Sequence, residues 1–152
     1  MRKKSNYRPK GVIRDVMGWI KGGMTRMSAN KNAMLVLKAR NHGALRALVM
    51  GEATKADIDE LVSAYNMTTT LAAMGIGEDL GPEIRRGLDA LYAIASRGGR
   101  FICRAEEITA LNLAMEVHDA QLEVATVAEV QEAIGIVARA YKMGAVRVVG
   151  SA

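Results

Sequence analysis

From Val12 to Tyr141 the apolar residues of this chain return every three or four positions, and glycines at Gly51, Gly75, Gly81, Gly98-Gly99 and Gly144 cut that rhythm into lengths. A period near 3.6 residues puts one side of each length against an interior, as in amphipathic helices and unlike strands, whose period is two. Composition points the same way. Only six residues are aromatic (Tyr7, Trp19, Tyr65, Tyr92, Phe101 and Tyr141), so a core must be built from Ala, Leu, Val, Ile and Met. Ala, Leu and Met head the helix-propensity scale, whereas strands favour aromatic and β-branched side chains. The 152 residues fit one domain, large enough to bury roughly 70% of the unfolded chain's surface without metals or disulfides.

Each length has its own start and stop. The first body helix begins near Asn30 and carries Met34, Leu35, Leu37, Leu45, Leu48 and Val49 to Gly51. A bend is expected near Asn41-His42-Gly43, because glycine inside a helix costs about 1 kcal/mol relative to alanine. The second helix opens with Thr54 and Asp57, a variant of the capping box, and buries Ile58, Leu61, Val62, Tyr65, Leu71 and Ala72 before Gly75. Gly81-Pro82 opens the third, with the stripe Ile84, Leu88, Leu91 and Ile94, and Gly98-Gly99 closes it. The fourth starts around Arg104, with Glu106 and Glu107 complementing the positive end of its dipole, and continues through Ile108, Leu111, Met115, His118 and Leu122. Thr126 and Glu129 form a capping box for the fifth, which runs through Val130, Ile134, Val137 and Tyr141 to Gly144. These readings predict an all-α fold, a single bundle of about five helices over residues 28–145 with a tail at 146–152.

Upstream of the body, charge replaces hydrophobicity as the dominant signal. Residues 1–31 hold nine cations against one anion, Asp15, while the remaining 121 residues hold twelve cations and fifteen anions. Residues 1–11 offer too little apolar surface to offset the entropy of ordering and are expected to form a flexible basic arm. Over residues 12–27, Val12, Ile13, Val16, Met17 and Ile20 recur three and four apart with Trp19 beside them, which predicts a short amphipathic helix ended by Gly22-Gly23. A localised positive field selects polyanions and holds them by counterion release, so Arg2, Lys3, Lys4, Arg8, Lys10 and Arg14 are the candidate nucleic-acid contacts. Few aromatics argue against base stacking on single strands. The alternative use lies in Val16, Met17, Trp19 and Ile20, flanked by Arg14, Lys21 and Arg26, as anchors for a host or phage protein.

Candidate chemistry is sparse. His118 falls in register with Ile108, Leu111, Met115 and Leu122, the position of a packed core histidine; the spacings of di-iron bundles and zinc proteases are missing, so no metal or other cofactor is expected. Asn112, Glu116, Asp119 and Glu123 share one helical face, read as an outer face wetted by carboxylates. Arg97-Gly98-Gly99-Arg100 lacks the phosphate-loop pattern and reads as a hinge with solvated arginines. Cys103, the only cysteine, excludes an internal disulfide and reads as a packing residue in a reducing compartment. No catalytic set emerges and the chain is expected not to be an enzyme. The longest apolar runs, such as Ala33 to Leu37, are far short of the roughly 18 residues of a membrane span. Residues 12–20 are interrupted by Arg14, Asp15 and Gly18 and lack the apolar core of a secretory signal. A cytoplasmic location is expected, with self-association into a homo-oligomer left open.

The opening RKKSNYRPKGV, the central NHGALRALVMGEATKADIDELVSAYNM and the later LNLAMEVHDAQLE resemble a group of small uncharacterised proteins encoded by bacteriophages and prophages of proteobacteria. The resemblance runs from Arg2 to about Ala138. It implies a bacterial cytoplasm during phage growth, where short helical proteins bind nucleic acid, host factors or other phage proteins, and it carries no activity or site residue with it.

Overall fold

Asn30 starts the first helix through its carboxamide oxygen, which accepts the Ala33 N–H at 3.1 Å and satisfies one of the donors a helix start leaves unpaired. The computed structural model describes residues 26–144. The expected arm at 1–11, nearly all of the amphipathic segment at 12–27 and the tail at 146–152 lie outside the described residues. Five α-helices follow: α1 (Lys31–Val49), α2 (Lys55–Ala73), α3 (Gly81–Ser96), α4 (Ala105–Val124) and α5 (Val127–Lys142). Single 3-10 turns precede α1 at Met27–Ala29 and α3 at Glu78–Leu80.

The starts and stops are local chemistry. Asp57 accepts both the backbone N–H and the hydroxyl of Thr54, at 2.8 and 3.0 Å. Thr126 and Glu129 exchange reciprocal bonds of 2.8 and 3.2 Å. Glu107 accepts the Arg104 N–H at 2.7 Å at the start of α4, and Pro82 sits in the first turn of α3. Gly144, at φ +67°, ends α5 in the left-handed region that other residues resist. The bend expected near Gly43 does not interrupt α1, which is helical without a break across that glycine.

Helix α2 is the hub: it touches the four other helices, and Ile58, Leu61, Val62, Ala64, Tyr65, Met67, Thr68 and Leu71 are buried along it. The Lys38–Glu123 and His42–Asp119 pairs run in opposite chain directions, so α1 is antiparallel to α4. Tyr65 and Thr68 reach Leu111 and His118, which sets α2 parallel to α4. Each short connection then reverses the chain. One pole of the bundle gathers the starts of α1, α3 and α5 with the ends of α2 and α4, and the other pole gathers the converse.

The core falls into two apolar clusters. One joins Leu45 and Leu48 of α1, Ile58, Leu61 and Tyr65 of α2, Leu91 and Ile94 of α3, and Leu111 and Met115 of α4. The other joins Met34, Met67, Leu71, Leu122, Val130 and Ala133, with Met27 packed against it. At the α3–α4 crossing Gly87 is buried, and a Cβ built there would stand 2.3 Å from the Ala114 Cβ. Only glycine allows these two backbones to approach so closely.

Candidate functional site

Between the two apolar clusters lies a buried polar layer made of Asn41 from α1, Thr68 from α2, and His118 and Gln121 from α4. Its hydrogen bonds can be ordered by donor. The Thr68 hydroxyl donates to the Ala64 carbonyl at 2.9 Å, so its oxygen accepts from His118 Nδ1 at 2.7 Å. That assignment leaves His118 Nε2 as a bare lone pair, buried and without a partner among the described residues. Burial pushes the imidazole down to about 4, with the His42 charge acting in the same direction and Asp119 opposing. His118 is therefore neutral at pH 7. Gln121 Nε2 donates to the Thr68 and Ile76 carbonyls at 3.0 and 2.8 Å, tying the end of α2 and the following loop to α4.

Of the four residues on the expected outer face of α4, Asp119 departs from it. Asn112 and Glu116 are exposed, as a wetted face requires. Glu123 is exposed too, while pairing with Lys38 of α1 at 2.8 Å; Asp119 is half-buried, its Oδ2 paired with His42 Nε2 of α1 at 2.7 Å. The arginine loop gains partners that its sequence did not announce. Arg97 grips Glu107 with both Nη atoms and donates to the Ile102 carbonyl at 2.7 Å, while Arg100 donates to the Gly51 carbonyl at 3.0 Å. The Arg97 guanidinium holds the Glu107 carboxyl below its ordinary range. Both arginines are exposed, as the solvated reading expects, and each in addition ties its loop to a neighbouring segment. Burial and Glu107 raise the Cys103 thiol, and its Sγ lies 3.7 Å from the Leu48 carbonyl, the setting of a packing cysteine.

The ten residues singled out for binding, Arg2, Lys3, Lys4, Arg8, Lys10, Arg14, Val16, Met17, Trp19 and Ile20, lie outside the described residues. What the structure does define is their point of attachment. Arg26 forms an antiparallel bridge with Thr126, and the Met27 N–H donates to the Ala125 carbonyl at 2.8 Å, at the pole where α5 begins. The described body, residues 26–144, holds thirteen cations and fifteen anions. Its pairs Lys38–Glu123, Arg40–Glu60, Lys55–Asp59 and Arg97–Glu107 are all internal.

Sequence reasoning had no signal for Thr68 and Gln121, since a hydroxyl and a carboxamide on an apolar stripe carry no local mark of a partner on another helix. Among the described residues no group of three or more His, Cys, Asp or Glu side chains is placed to hold a metal ion. No helix among them is long and apolar enough to cross a membrane. Comparison with protein-family models, with curated proteins and with solved structures finds no match. The fold and site together define an all-α bundle with an internal polar layer.

Proposed function

We propose that this protein is a non-enzymatic accessory protein of a bacteriophage or prophage that binds nucleic-acid phosphates in the host cytoplasm through its basic N-terminal arm, with Arg2, Lys3, Lys4, Arg8, Lys10 and Arg14 as the contacts. One observation carries the reading: residues 1–25 hold seven cations against one anion, while the described body holds fewer cations than anions and pairs four of them with its own carboxylates. A positive field concentrated in one segment is what counterion release rewards, and it acts without reading sequence.

Six phosphate contacts predict that log affinity for random duplex DNA falls against log salt with a slope of about −5. Deleting residues 2–10 removes five of the six and should bring the slope to about −1, with affinity at low salt falling by several orders of magnitude. A slope that survives the deletion would overturn the reading.

A further inference from the structure

Helix α1 packs on α2 and α4 with one side, and its opposite side is exposed along its whole length. Asn32, Val36, Ala39, Gly43, Arg46 and Met50 recur along that side four and three apart, the spacing of a coiled-coil seam, and all six are exposed. Leu35, at the shoulder of the stripe, is 70% exposed and Met50 61%. Gly43 stands at the centre, with nothing within 4 Å of a Cβ built there. A glycine inside a helix costs about 1 kcal/mol relative to alanine, and neither packing within the chain nor a positive φ asks for this one. What the missing Cβ does allow is close approach from outside the chain.

We propose that a second copy of this chain covers that face, with α1 of each copy laid against the outer side of α4 of the other. Charge selects this arrangement. Helix α1 carries Lys31, Lys38, Arg40 and Arg46 and no anion, whereas α4 carries Glu106, Glu107, Glu116, Asp119 and Glu123 and neither Lys nor Arg. A two-fold axis running across the helices would set α1 on α1, cation on cation; an axis parallel to them sets α1 on the partner's α4 twice over, cation on anion. Residues 1–25, with seven cations against one anion, would meet α1 as like charge. Register then names the pair. Lys38–Glu123 and His42–Asp119 show that a step of four along α1 matches a step of four back along α4. One further step brings Arg46 level with Met115 and beside Glu116; Arg46 and Glu116 are both exposed, and neither has an ion-pair partner among the described residues. An axis parallel to the helices keeps every residue at its level, so Arg46 of one copy meets Glu116 of the other. By the same register Ala120 falls between Ala39 and Gly43, small against small, and the exposed Leu113 and Val124 come near the levels of Met50 and Val36.

The inference stands apart from nucleic-acid binding, and deleting residues 2–10 should leave the dimer intact. In sedimentation velocity the full-length chain should run at twice 16.3 kDa. Arg46→Glu and Glu116→Arg, both at exposed positions, should each raise the dissociation constant about tenfold or more by setting like charges together, with the circular dichroism unchanged. Mixing the two variants should restore the dimer, because each copy then supplies the charge that the other needs; an ion pair within one chain has no such effect. Gly43→Leu should also weaken the dimer, although it raises helix propensity and so does not act by weakening the helix. An unmodified chain that stays monomeric at high micromolar concentration would overturn the proposal. So would a dimer indifferent to all three substitutions, or a mixture that remains monomeric. A monomer whose affinity for duplex DNA falls in Arg46→Glu would give the face to nucleic acid instead.

Discussion

His118 shows what a single buried side chain does to the whole protein's response to acid. Unfolded, an imidazole titrates near 6.5; folded, this one is held at about 4. Between those values the unfolded chain binds a proton that the native state refuses. Stability is therefore complete above pH 6.5 and declines as pH falls toward 4, by about 3 kcal/mol across that window. Melting temperatures taken from pH 7 to pH 4 for the protein and for His118→Gln test this, since carboxylates contribute equally to both and the difference in slope belongs to the imidazole. Equal slopes would mean that the ring reaches water. Glu107 works in the opposite sense: its depressed carboxyl contributes stability at neutral pH that is lost as pH falls through its folded value.

Between helices, the α3–α4 crossing depends on the absence of one methyl group. Gly87→Ala would place a Cβ 2.3 Å from that of Ala114, and overpacking of this kind costs typically 1–3 kcal/mol. The loss should be partly recovered in the double variant Gly87→Ala/Ala114→Gly, which moves the methyl across the interface; chemical denaturation of the three variants measures both effects. Nothing near Gly87 in the chain announces this role, because the requirement comes from a neighbour more than twenty residues away. Helix boundaries were legible for the contrary reason. Asn30, Pro82, the Thr126–Glu129 pair and Gly144 act on their own backbone, and their consequences stay within a few residues. Asp119 looked like a carboxylate in water because a helical wheel shows which side chains share a face and not what that face meets. The positive arm was legible as charge alone, and charge names a class of partner without naming a geometry.

Across the molecule, burial is graded outward from α2. The polar layer of Asn41, Thr68, His118 and Gln121 interrupts the apolar core where α1, α2 and α4 meet, and sliding any of these helices by a turn would bury donors without acceptors. That layer fixes how the helices align along their length, while the apolar clusters on either side supply most of the cohesion. Local opening should follow the same gradient: in native-state hydrogen exchange, the amides of α2 between Leu61 and Leu71 exchange slowest and those in the second half of α5 fastest. Uniform protection along all five helices would contradict it. The antiparallel bridge between Arg26 and Thr126 also has a mechanical consequence. It closes residues 27–125 into a loop, so tension applied to the two ends of the described chain crosses the bridge and passes down the axis of α5, bypassing α1 to α4. The Met27–Ala125 hydrogen bond lies on that path, and while it holds the four helices inside the loop are shielded from the pull.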